Sequence, residues 1–114
     1  MTNSFRIILT RENLPASNDD VIHVHVVDND TFRVKYDDRF SGSSYTHFYD
    51  WLGLCTYLES MRQLLAVDAD PFDTIQLQVP GFPCVSLKPF MFAETKTYDA
   101  FSNIIDSYVG QVAS

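Results

Sequence analysis

Apolar and polar residues alternate in five short stretches of the chain and recur at helical spacing in two longer ones. Phe5, Ile7 and Leu9 alternate with Arg6, Ile8 and Thr10, which predicts a strand over 5–10. Pro15, Ser17, Asn18 and two aspartates mark 13–20 as a loop. Ile22, Val24 and Val26 then alternate with His23, His25 and Val27, and Phe32, Val34 and Tyr36 alternate with Thr31, Arg33 and Lys35. Asp28, Asn29 and Asp30 supply the turn between these two strands, 22–27 and 31–36, making the clearest hairpin in the chain. A polar stretch around Gly42 reads as a connection. A long helix is expected to begin near 44–46, because Phe48, Trp51, Leu52, Cys55, Leu58, Arg62 and Leu65 recur at spacings of three and four. Asp50 near its start and Arg62 near its end suit the helix dipole, and Pro71 within the acidic 68–73 stretch ends it.

The second half repeats the logic. Ile75, Leu77 and Val79 alternate with Thr74, Gln76 and Gln78, the Pro80-Gly81-Phe82-Pro83 run turns the chain, and 84–88 returns as a strand. Residues 89–92 read as an aromatic loop. A last helix is expected over 94–109, with Tyr98, Phe101, Ile104, Ile105 and Tyr108 on one side and Gly110 as its stop. Both hairpins carry one apolar and one polar face, the pattern of an antiparallel sheet covered by helices on one side. The expected fold is therefore α+β: a sheet of about five strands, in the order β-β-β-α-β-β-α, packed against two helices in a single domain over 1–114.

Composition narrows the setting. With 114 residues, 46% apolar and 14% aromatic, the chain has material for one core and is a poor candidate for disorder. Its net charge of -7 repels polyanions, so nucleic acid is an unfavoured partner. The first ten residues make no signal-peptide core, and the richest apolar stretch is broken by Asp50, Glu59 and Arg62, so neither secretion nor a membrane is expected. Cys55 and Cys84 are expected to be buried thiols in a reducing compartment, cytoplasmic or nuclear.

Charge is unevenly placed. Through Tyr36 the chain carries four cations and five anions, and after it four cations and ten anions. If Val27 faces Thr31 across the turn, His25 lies opposite Arg33 and His23 opposite Lys35, four basic side chains on one solvent face. An ordinary solvated sheet face, a partner-binding face and a site for phosphate or nucleic acid all account for them. The far side of the long helix, with Tyr49, Gly53, Thr56, Tyr57 and Ser60, is almost free of charge, unlike a face turned to water. It suits burial within the fold, or an interface with a second copy or another protein. Phe82, Phe90, Met91 and Phe92, close to turns, either plug the core or form an apolar edge.

Candidate chemistry adds little. His23 and His25 have a chelating spacing, but no further ligands are placed beside them, so no metal is expected. Asp68, Asp70 and Asp73 lack the glycine and glutamate of a calcium loop. No phosphate-cradling glycine loop or nucleophile with an adjacent base stands out, and no cofactor is expected. The expectation is a non-enzymatic, protein-binding domain of adaptor or inhibitor type acting as a homodimer. The alternatives are an assembly subunit, and a small ligand-binding domain or enzyme. The order of three strands, a helix, two strands and a helix is similar to that of the dimeric secretion chaperones without their first helix, a likeness of element order that transfers no site residue.

Overall fold

The computed structural model describes residues 3–11, 14–67, 72–92 and 94–112. β1 (Ser4–Arg11), β2 (Asp20–Asp28) and β3 (Thr31–Asp38) form where alternation predicts them, each longer by one or two residues at an end. His23 faces Lys35 and His25 faces Arg33, as the hairpin pattern requires. The expected Val27–Thr31 pair does not form. Thr31 faces Asp28 across an irregularity in the ladder, and the Asp28 carboxylate accepts the Asp30 N–H at 2.9 Å.

The next element differs from expectation. Residues read as the first turn of the long helix instead form β4 (Ser43–Tyr49), which pairs antiparallel with β3. Its Ser-Ser-Tyr-Thr-His-Phe-Tyr run is rich in aromatic and hydroxylated residues that suit a pleated surface better than a helix. The turn before it is closed by Gly42 at φ 78° and by Asp38, whose carboxylate accepts the N–H groups of Phe40 and Ser41. α1 (Trp51–Val67) starts only after Asp50, whose Oδ1 accepts the Gly53 N–H at 2.7 Å as an N-cap. Asp30, from the first hairpin turn, takes the Trp51 N–H at 3.0 Å. Because Phe48 is not helical, the buried stripe is rotated from the expected one. Leu54, Leu58 and Leu65 are buried, whereas Leu52 is 75% exposed.

β5 (Phe72–Gln78), β6 (Val85–Leu87), the one-turn α2 (Pro89–Phe92) and α3 (Thr95–Val112) complete the chain. Residues 89–92 are thus a helical turn rather than a loop. Phe92 is its plug, stacked edge-on against Phe101 and Tyr98, while Phe90 is exposed. Gly110 does not stop α3. The helix runs past it because Val109 and Val112 both pack on the core, which offsets the roughly 1 kcal/mol that an internal glycine costs. Cys55 is half-buried and Cys84 is exposed just before β6, both as free thiols, so the expectation of two buried cysteines fails for Cys84. Asp68, Asp70 and Pro71 lie outside the described residues, and Asp73 belongs to β5.

The result is the expected α+β architecture with one strand more, a six-stranded antiparallel sheet ordered β4-β3-β2-β1-β5-β6. Phe5, Ile7 and Leu9 of β1, Ile22, Val24 and Val26 of β2, and Ile75 and Leu77 of β5 form the sheet side of the core. Leu54 and Leu58 of α1, with Phe101, Ile105 and Tyr108 of α3, cover them. This cover stops short of β4, most of whose residues are exposed. Among the described residues, the opposite face of the sheet carries no helix.

Candidate functional site

The alternation that builds the core sends Tyr45, His47 and Tyr49 of β4 to the helix side of the sheet, opposite Tyr36, Val34 and Phe32. Tyr49 borders a trough along α1. Its upper part is a hollow of about 500 Å³ lined by Tyr49, Asp50, Leu52, Gly53, Thr56, Tyr57 and Ser60. All five residues expected on the uncharged helix face are brought together there, with one change of place, since Tyr49 ends β4 and is not helical. A Cβ on Gly53 would stand 3.1 Å from the Tyr49 ring, so the glycine admits this chain's own tyrosine to the helix surface. Tyr49 in turn leans on Tyr57, ring centroids 5.6 Å apart. Burial, and then the neighbouring Tyr49, push the Tyr57 phenol up to about 12.

Tyr57 and Ser60 continue the trough into an apolar cavity of about 250 Å³ with Leu9, Tyr36, Met61, Leu64 and Phe72 on its walls. The charged residues of α1 turn the other way. Arg62 lies 3.4 Å from Glu59, stacks 4.6 Å over the Tyr98 ring and donates to Thr95, which ties α1 to α3. Asp50, the cap of α1, is the charged residue that lines the trough.

The open face of the sheet gathers the basic residues. One row across the strands reads Thr46, Lys35, His23, Arg6 and Gln78, and the next reads Phe48, Arg33, His25 and Ser4. Arg6 therefore joins the four residues expected there. A shallow hollow of about 510 Å³ is lined by Ser4, His23, His25, Arg33, Lys35 and Thr46. Asp37 answers part of this charge, 3.3 Å from His23 Nε2 and 3.9 Å from Lys35 Nζ. Desolvation nevertheless holds the His23 imidazole below its ordinary pKa, against the pull of Asp37.

A third cluster had no counterpart in the sequence reading. At the end of β1, Arg11 pairs with Asp20, a carboxylate only 2% exposed, and also lies 3.8 Å from Asp38. Tyr36 donates its hydroxyl to the other oxygen of Asp20. The Arg11 guanidinium sits between the rings of Phe40 and Phe72, at 5.1 and 5.0 Å. It also donates to the Asn18 carbonyl, which pins the loop between β1 and β2. Burial and the bond to Asp20 hold the Tyr36 phenol far above its usual range. Arg11 was legible as a cation, but its partner emerges only from a register that sets Leu9 against Asp20.

Among the described residues, no group of three or more His, Cys, Asp and Glu side chains is placed to hold a metal ion. No described helix is long and apolar enough to cross a membrane. Comparison with family models, with curated proteins and with solved structures finds no match.

Proposed function

We propose that the chain is a protein-binding domain that acts as a homodimer, formed by pairing the β4 edges of two copies and closing the troughs beside their α1 helices. The observation that carries this reading is the state of β4. It is a seven-residue edge strand with no charge and no proline, uncovered by the helix layer. Edges of monomeric sheets are ordinarily short, charged, bulged or covered, because an open ladder invites another strand. The opposite edge follows that rule, since β6 has only three residues.

Charge favours a second copy as the occupant. A two-fold interface sets one surface patch against the same patch of the partner, which is costly for a chain of net charge -7 where that patch is strongly acidic. β4 carries no charged residue, and the trough side of α1 has Asp50 as its charged residue, with one carboxylate oxygen taken by the Gly53 N–H. Tyr45 and Leu52, 59% and 75% exposed, supply apolar contact area there. The strand is about 23 Å long at ~3.3 Å per residue, and α1 about 25 Å at 1.5 Å per residue.

Sedimentation equilibrium at low micromolar concentration tests the proposal. The expected species has twice the 13.0 kDa chain mass. Tyr45→Lys and, separately, Thr56→Lys are expected to return it to monomer without changing the circular dichroism. A wild-type protein that stays monomeric, or a dimer indifferent to both substitutions, would overturn it.

A further inference from the structure

The open face of the sheet concentrates positive charge on an acidic molecule, and most of that charge lacks an internal partner. Arg6 donates to the neutral Gln78 amide, and Asp37 serves His23 and Lys35. Arg33 and His25 make no ion pair with the described residues. His25 and Arg33 face each other across the strands, as do His23 and Lys35, so the permanent cations Arg6 and Arg33 are the ones left without a carboxylate against them among the described residues. The cluster is compact. Arg6, His23 and Lys35 stand on three adjacent strands, so they span roughly 10 Å at ~4.8 Å between strands.

Dimension and chemistry select among anions. A long polyanion would run off this patch onto a surface that is otherwise negative, and would be repelled there. β2 and β3 are internal strands whose backbone N–H groups are committed to ladders on both sides, so the face has no cradle of free N–H groups of the kind that phosphate sites use. What it presents is separated side-chain donors. Carboxylates on alternate residues of an extended peptide repeat every ~6.6 Å on one side and match such spacing. Ser4 and Thr46 offer hydroxyls at the rim, and Phe48, 66% exposed beside Arg33, offers a ring.

We propose that this face binds a short, extended, Asp- and Glu-rich segment of a partner protein, with Arg33, Lys35 and Arg6 as its carboxylate contacts. The inference deepens the protein-binding reading above and is independent of the dimer. The test is fluorescence anisotropy of labelled hexaglutamate on the full chain at low salt. Saturable binding is expected, weakened by added salt and lowered at least about tenfold by Arg33→Glu with Lys35→Glu. The neutral pair Arg33→Gln with Lys35→Gln is expected to fall between, which keeps the test decisive if charge reversal impairs folding. Tyr45→Lys is expected to leave hexaglutamate binding unchanged. The inference fails if hexaglutamate does not bind, if the substituted proteins bind it as tightly as wild type, or if a single-stranded oligonucleotide of equal charge binds more tightly. Any of these outcomes, alongside a dimer that Tyr45→Lys dissociates, would remove the acidic ligand and leave the dimer standing.

Discussion

Replacing Arg11 by methionine should be among the most damaging single changes available in this chain. The substitution keeps a long, flexible, apolar stem between the rings of Phe40 and Phe72. It removes the cation facing Asp20, whose side chain is 2% exposed, while Arg11 itself is only 10% exposed. Both partners are buried, so solvent screening does not dilute the loss. Breaking one half of such a pair costs about 3–5 kcal/mol, chiefly because the surviving charge is stranded. Against a total stability of about 5–15 kcal/mol, that is about a fifth or more of what holds a domain of this size together. With an m-value near 1.5 kcal/mol/M, the urea midpoint should fall by roughly 2–3 M. The control is the double variant Arg11→Met with Asp20→Asn. Its amide still accepts the Tyr36 hydroxyl and carries no charge, so it should recover at least half of the lost stability. Urea titrations followed by circular dichroism measure all three proteins. A cost below about 1 kcal/mol for Arg11→Met, or a double variant no better than the single, would refute the account of Asp20 as a buried charge held by Arg11.

Three smaller tests address other parts of the fold. Asp50→Ala should lower stability by about 0.5–2 kcal/mol in the same titrations, because the Gly53 N–H loses its cap. His23 binds its proton less readily when folded than when unfolded, so the unfolded chain holds more protons as pH falls below about 6.5. Stability should therefore decline between pH 7 and the lowered folded value, and the melting temperature of His23→Gln should be flatter over that window. Burial, with Asp106 nearby, raises the Cys55 thiol pKa, whereas Cys84 is exposed. Mass spectrometry under limiting iodoacetamide should find Cys84 alkylated first, and equal rates would contradict the placement of Cys55.

The parts of this structure that follow from nearest-neighbour pattern were legible in the sequence, and the parts that depend on an element's end were not. Alternation in β2 and β3 sufficed to set His23 against Lys35 and His25 against Arg33, because a hairpin with a short turn leaves little freedom of register. β4 was absorbed into the helix because Phe48 stands three and four residues before Trp51 and Leu52, a spacing that strand and helix residues produce together across a junction. The capping Asp50 was the stronger boundary signal. The residues of the uncharged face nonetheless lie together, since Tyr49 reaches the same trough from the strand side. Arg6 was missed from the basic face and Arg11 from its buried pair for one reason. Both depend on the pairing of β1 with β2 across a long loop, and nothing local fixes that register.

The two proposed surfaces become coupled if both are real. Antiparallel pairing of β4 with its copy about a two-fold axis perpendicular to the sheet makes one continuous sheet, with both open faces on the same side. β3 then lies three strand spacings from its counterpart, about 14 Å, a gap that some five residues of extended chain span at ~3.3 Å each. An acidic segment of about twelve residues can thus reach both basic clusters, and its second contact is made at the high effective concentration of a tethered ligand. A hexamer reaches only one. Dodecaglutamate should accordingly bind wild type at least about tenfold more tightly than hexaglutamate, and Tyr45→Lys should abolish most of that advantage while sparing the hexamer. The same measurement separates avidity from mere charge, because a longer peptide that gained affinity only from its added carboxylates would keep the advantage on the monomeric variant. Retention of the full difference by Tyr45→Lys would show that the two basic faces do not act together, even in a protein that dimerises and binds acidic peptide.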